Sequence, residues 1–253
     1  MTGKVFLAIA ALFVVAAALG GCATNPVTGQ TELRLVGREQ EISIGRNVDA
    51  EIRREYKVVT GTVAANRVER IGRKIASVCE RSDVEYHFAL LESDELNAFA
   101  APGGFIYVTT TTEKVADSDA ELAAVIGHEV GHVAMYHSVK QIQSALAFDI
   151  LNSLILGDKE QSAEAAAIAF NVVIMSGFSR EHERESDRLG VIYPWKAGYD
   201  PYGMAGFLAK LEERNAETVV DKTFEFMRSH PLISQRRQAA EELAREMAAR
   251  GVR

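Results

Sequence analysis

His128-Glu129-Val130-Gly131-His132 constrains this chain more than any other stretch of its sequence. Histidines four apart share one face of an α-helix, so both imidazoles reach a single ion if the segment is helical. Glu129 then projects from a neighbouring angle, within reach of a water on that ion. The segment does read as a helix. Ser118 and Glu121 have the S-x-x-E spacing of a capping box. No proline occurs from Asp119 to about Gln143, and Leu122, Val125, Ile126, Val130 and Val133 recur at helical spacing. Gly127 and Gly131 interrupt this pattern, each costing a helix about 1 kcal/mol against alanine. Their i, i+4 spacing predicts another backbone close by. That backbone is either a sheet beneath the helix, with the histidines turned to a cleft, or simply a second helix.

A catalytic zinc takes three protein ligands and leaves a position for water, whereas a structural zinc takes four. Candidates for the third ligand are His87, His137, His182, His230 and the downstream carboxylates. Glu183 stands out in Ser179-Arg180-Glu181-His182-Glu183-Arg184-Glu185-Ser186-Asp187. Glu183 and Asp187 are four apart and share a helical face, so one can bind a metal while the other accepts an N–H from a ligand histidine and fixes its tautomer. On spacing alone Glu181 and Glu185 compete, and the run also fits a solvated charged face.

Taken together, these motifs resemble the HtpX-like and CAAX prenyl protease superfamily of zinc endopeptidases. H-E-V-G-H is followed, 51 residues beyond His132, by E-x-x-x-D at 183–187. Asn97-Ala98-Phe99-Ala100-Ala101-Pro102-Gly103-Gly104-Phe105-Ile106-Tyr107-Val108 resembles the family's N-A-F-A-x-P-G-G-x-I-x-V strand. Ser229-His230-Pro231 resembles its S/T-H-P motif, and Asn25-Pro26-Val27-Thr28-Gly29 the start of its bacterial lipoprotein members. The resemblance covers nearly the whole mature chain. It implies an α+β, mostly helical, zincin-like fold in which the active-site helix packs on a small β-sheet. It implies one Zn²⁺ held by His128, His132 and Glu183, with Asp187 behind a ligand histidine. Glu129 would be the general base that takes a proton from water and passes it to the leaving amine. His230 would either stabilise the oxyanion or cap the metal and block water. Arg236 or Arg237 would help the transition state or simply start a helix, the second being favoured.

The N-terminus reads as a targeting segment. Lys4 precedes an apolar run of 15 residues from Val5 to Leu19, then Leu19-Gly20-Gly21-Cys22. The run is short for a spanning helix, which needs about 20 residues. It resembles a bacterial lipoprotein signal cut before Cys22, leaving that residue lipidated; two acyl chains anchor stably where one is marginal. Ala23 in place of Asp points to the outer membrane. The expected division is a signal peptide at 1–21, a lipidated tether at 22–37 and a single peptidase domain at 38–253. No internal repeat is visible.

Composition fits one sizeable domain: 253 residues, 47% hydrophobic and 25% charged. A net charge of −7 argues against nucleic acid as a partner and leaves no polybasic patch for anionic lipid. Cys79 has no intramolecular partner once Cys22 is lipidated; it lies on the helical stripe Val68, Ile71, Ile75 and Val78, and reads as a buried structural thiol.

Elsewhere, Arg38 to Tyr56 reads as an amphipathic helix and Val84 to Leu90 as a half-buried strand, with His87 on the opposite face from Tyr86 and Phe88. Phe105 to Thr111 reads as a strand after a Pro-Gly-Gly turn. Beside a metal cleft it can take a peptide as an added strand, with Ala100, Pro102, Gly103 and Gly104 as substrate-binding positions; a structural hairpin is the alternative. The apolar stretch Ala145 to Phe178 is too interrupted by Asp149 and Asn152 to span a membrane and predicts two helices, one running on through Glu183 to about Ala197. Pro201–Asn215 and Ser234–Arg250 predict further helices, with Thr218–Ser229 a loop. The function expected is metal-assisted hydrolysis of misfolded or misassembled envelope proteins. The alternatives are an assembly factor or chaperone built on the peptidase fold, or a protease held latent.

Overall fold

The computed structural model describes residues 22–145, 167–173, 177–217 and 233–251. Its sheet has four strands: β3 (Val58–Val59), β4 (His87–Leu91), β5 (Ala98–Ala101) and β6 (Phe105–Thr109), in the order β3-β4-β6-β5. Only the β4–β6 pair is parallel. Strand β6 is flanked on both sides and all five of its residues are buried, which is why Phe-Ile-Tyr-Val reads as a continuous apolar run. Alternation still assigns its faces. Ile106 and Val108 join Ala98 and Ala100 on one face, where α2 (Val63–Ala76) and α4 (Asp119–Ala134) pack. Tyr107 and Phe105 join Phe99 and Ala101 on the other, against α1 (Arg38–Glu55).

This arrangement corrects the expected role of the Phe105 strand. An interior strand has both hydrogen-bonding edges in use, so it cannot accept a peptide. Among the described strands the edge nearest α4 is β5, which carries Ala100. Pro102, Gly103 and Gly104 form a buried 3₁₀ turn between β5 and β6. Gly103 and Gly104 both have positive φ, 76° and 97°, a conformation only glycine adopts cheaply. The Gly103 N–H donates to Glu41 on α1 at 3.0 Å. The turn's chemistry is thus accounted for by its packing against α1.

The capping box at the start of α4 forms as read, with Ser118 and Glu121 each accepting from the other's backbone N–H. The helix does not run to Gln143. It ends at Ala134; Tyr136 takes φ 59°, and α5 (His137–Ala145) starts in a new direction. The cause lies in Arg81, which is fully buried. Its guanidinium donates to the Val133 carbonyl at 2.7 Å and to Glu41 at 2.6 Å. It also lies 3.9 Å from the centre of the Tyr136 ring, with Arg34 at 4.2 Å. An arginine that caps a helix C-terminus and holds an aromatic ring stabilises the break. Between α4 and β6 lies the short α3 (Thr110–Val115).

The segment expected as a tether is folded. Strands β1 (Cys22–Thr24) and β2 (Thr31–Leu33) form a hairpin. Asn25 is buried at its turn: Oδ1 accepts from Val27 N–H at 2.9 Å, while Nδ2 lies 3.9 Å from Met135 Sδ at the end of α4. The Asn-Pro-Val-Thr-Gly run is an Asx turn that docks at the end of α4.

Further helices among the described residues are α6 (Arg180–Lys196), α7 (Gly203–Glu217) and α8 (Ile233–Arg250). Helix α6 is not a continuation of its predecessor. Residues 177–179 are non-helical, and Ser179 caps α6 by accepting from His182 N–H at 3.2 Å. Of the apolar 145–178 stretch, 167–173 is helical and most of the rest lies outside the described residues, as do residues 218–232, which include His230 and the segment expected as a loop. Among the described residues no helix is long and apolar enough to cross a membrane. Cys79 is half-buried, its thiol 3.2 Å from the Tyr86 hydroxyl; burial pushes its pKa up, which makes it a poor nucleophile.

Candidate metal centre

The two glycines of α4 explain how the centre is assembled. The backbone they admit belongs to a helix, α6, and not to the sheet. A Cβ on Gly127 would stand 3.1 Å from Pro194 Cδ and 3.3 Å from Gly190 Cα; one on Gly131 would stand 3.2 Å from Ser186 Cα. Gly190 answers from the other side, where a Cβ would come within 3.0 Å of the Ala124 carbonyl and 3.3 Å of His128 Cβ. Small residues facing one another let two helices approach more closely than ordinary side chains allow. The close approach lays Glu183 and Asp187, one turn apart on α6, over His128 and His132.

His128, His132 and Glu183 are all buried, and each offers one ligand atom to a common point. His128 Nε2 and His132 Nε2 are 2.9 Å apart. Glu183 lies 3.7 Å from the first and 3.5 Å from the second. Nitrogen and oxygen ligands about 2 Å from one ion stand about 3.3 Å apart in a tetrahedron, so these residues fit zinc in spacing and in donor type. Two imidazoles and one carboxylate are the donor set of a catalytic site, which keeps a position for water. Burial pushes the His132 pKa well below its ordinary value, more than the nearby Glu183 raises it, which favours the neutral ring that a metal ligand requires. Glu129, fully buried on the same helix, is outside this set.

Both ligand histidines have partners behind them. His128 Nδ1 lies 3.0 Å from Asp187 Oδ1, as the spacing of Glu183 and Asp187 predicts. Burial alone would raise the Asp187 pKa; Arg236, followed by His128, outweighs it and holds the carboxyl below its usual range. Arg236 is the residue undervalued in the sequence. It is buried at 5% exposure, and its guanidinium contacts both acids: 2.7 Å to each Asp187 oxygen and 2.9 Å to Glu183 Oε2. Arg237 turns away to Glu212 and Glu241 on the surface side. Nothing in the spacing separates adjacent arginines; only the register of α8 against α6 does.

Behind His132 stands His137, its Nδ1 3.0 Å from His132 Nδ1. In one continuous helix, residues five apart point about 140° away from each other. The break at Tyr136 brings His137 back to the ligand. Glu185, a rival for the metal on spacing, pairs with His137 at 3.0 Å instead. His182 stacks on His137 with ring centres 4.1 Å apart, and Phe178 stacks on His132 at 3.9 Å. His87 is exposed and stacks on Phe105. Neither His87, His137 nor His182 joins the ligand cluster.

Comparison with known proteins agrees with this geometry. The beta-barrel assembly-enhancing protease of Escherichia coli (strain K12) is 26% identical over 234 residues, 88% of this chain and 48% of that protein. The metalloprotease LoiP of the same strain is 30% identical over 183 residues, covering 69% of this chain and 68% of LoiP. The mitochondrial metalloendopeptidase OMA1 of Schizosaccharomyces pombe is 26% identical over 175 residues, 69% of this chain and 51% of that protein. The chain spans about half the length of the assembly-enhancing proteases it matches. Residues 63–244, well over half of the chain and all of α2 through the core of α8, match Peptidase family M48, and the chain belongs to that family of zinc metallopeptidases.

Proposed function

We propose that this chain is a zinc endopeptidase of the bacterial cell envelope that hydrolyses misfolded or misassembled envelope proteins. The observation that carries the hydrolytic part is the convergence of His128, His132 and Glu183 beside a buried Glu129 that is not a ligand. His128, His132 and Glu183 would hold zinc, which would supply Lewis acidity at that point. The protein's own groups do the rest. Asp187 orients His128, Arg236 neutralises the two acids that face it, and Glu129 takes the proton of the attacking water and delivers it to the leaving amine. His230, outside the described residues, would either donate to the oxyanion or cap the metal. A peptide added as a strand would lie along β5, at Ala100, and not along β6.

The envelope part rests on the signal-like Leu19-Gly20-Gly21-Cys22 run and on the similarity to proteases named for β-barrel assembly. Incubated with casein or a urea-unfolded outer-membrane β-barrel, the purified chain should yield fragments that vanish with chelator and return with zinc. Failure to cut either polypeptide, with faster barrel folding in its presence, would replace the protease reading with that of an assembly factor. Cys22 is the proposed lipid attachment point. Cys22→Ala, once processed by an ordinary signal peptidase, should move from the membrane pellet to the soluble fraction. A processed variant that still pelleted in high salt would place the anchor elsewhere, with the apolar 145–178 stretch first in line.

A further inference from the structure

We propose that Glu185 and His137 form a relay that sets the tautomer of His132 and so turns its Nε2 lone pair toward the metal. The role is one of positioning. It rests on the zinc reading of the centre and is independent of the substrate.

His137 is completely buried, and each ring nitrogen faces its own partner. Nε2 lies 3.0 Å from Glu185 Oε2 and Nδ1 lies 3.0 Å from His132 Nδ1, with Ser186 Oγ 3.3 Å from the same Nδ1. A carboxylate can only accept, so the proton between Glu185 and His137 sits on His137 Nε2. A neutral imidazole carries one ring proton, and with that proton facing Glu185 the Nδ1 of His137 is a lone pair. A second lone pair cannot stand 3.0 Å from that one, and His132 Nδ1 therefore carries a proton and donates it. The lone pair of His132 is then left on Nε2, the atom 2.9 Å from His128 Nε2 and 3.5 Å from Glu183. The opposite tautomer would aim an N–H into the ligand cluster. The Ser186 hydroxyl can rotate to donate to His137 Nδ1 and leaves this order unchanged.

The two ligand histidines are thus oriented by different means. His128 meets a carboxylate directly. A carboxylate against His132 as well would add another buried negative charge beside Glu129, Glu183 and Asp187. The imidazole of His137 passes on the orientation without charge, and the acid that fixes it sits outside, with the Glu185 side chain 37% exposed. The Tyr136 break and the stacked His182 ring hold His137 in the plane this requires.

The test is zinc affinity by chelator competition on the folded full chain, with the visible spectrum of the cobalt-loaded protein as a second readout. His137→Leu removes the acceptor and should weaken zinc binding by about 10–100-fold, the usual scale for loss of a group behind a ligand. Glu185→Leu, at a part-exposed site, should weaken it by about 10-fold and alter the cobalt spectrum. His137→Asn keeps an oxygen acceptor near the Nδ1 position and should stay within about 3-fold of wild type. Wild-type affinity and spectrum in Glu185→Leu would overturn the relay, as would equal losses in His137→Asn and His137→Leu. If His137→Leu fails to fold, Glu185→Leu and His137→Asn decide.

Discussion

Glu129→Gln should keep a full complement of zinc and lose at least about 10²-fold in turnover, the usual contribution of a general base. The two halves of this outcome come from separate observations. Glu129 is fully buried one residue after His128, yet among the described residues the cluster that converges on a common point consists of His128, His132 and Glu183. Glutamine preserves volume, so the contact between α4 and α6 is undisturbed; it cannot accept a proton from water. Metal content measured alongside kcat on an unfolded polypeptide decides the matter. Unchanged proteolysis would remove Glu129 from the chemistry, and lost zinc would make it part of the metal's support.

How much of this centre is legible in the chain depends on whether a residue's partner is close in helical register or only in space. His128 and His132 are one turn apart on a single helix, as are Glu183 and Asp187, so their shared faces follow from the 3.6-residue period. The capping box announces where α4 starts. Where α4 ends is not announced, because Tyr136 is no helix breaker by type; a buried arginine 55 residues earlier stabilises its left-handed backbone. His137 is hidden by the same break, since five residues on in an unbroken helix would face elsewhere. The glycines at 127 and 131 signal a close neighbour without saying which, and the neighbour proves to be the ligand-bearing helix. Strand patterning places Phe105–Thr109 in the sheet, but an apolar run does not distinguish an interior strand from one whose edge is open. His230 lies outside the described residues.

The largest effect on stability should come from Arg236. The side chain is buried between Asp187, which it grips with two hydrogen bonds, and Glu183; Glu129 adds to the negative field that holds the guanidinium firmly charged. Arg236→Met fills similar space with no charge. It leaves Asp187 and Glu183 buried without their cation, and breaking a buried ion pair on one side costs about 3–5 kcal/mol. Zinc would compensate Glu183 in part, but Asp187 is not among the residues that would hold it, so the penalty should persist in the metal-loaded protein. Adding Asp187→Asn removes the stranded charge, and the double variant should recover more than about 1 kcal/mol relative to additivity of the single changes. Arg236→Lys should fall between, because an ammonium cannot reproduce the paired geometry on one carboxylate while reaching the second. Denaturant unfolding of the zinc-loaded full chain gives all four values. A loss below about 1 kcal/mol in Arg236→Met would mean that the acids are neutralised by other means, and that α8 contributes packing but not charge to the centre.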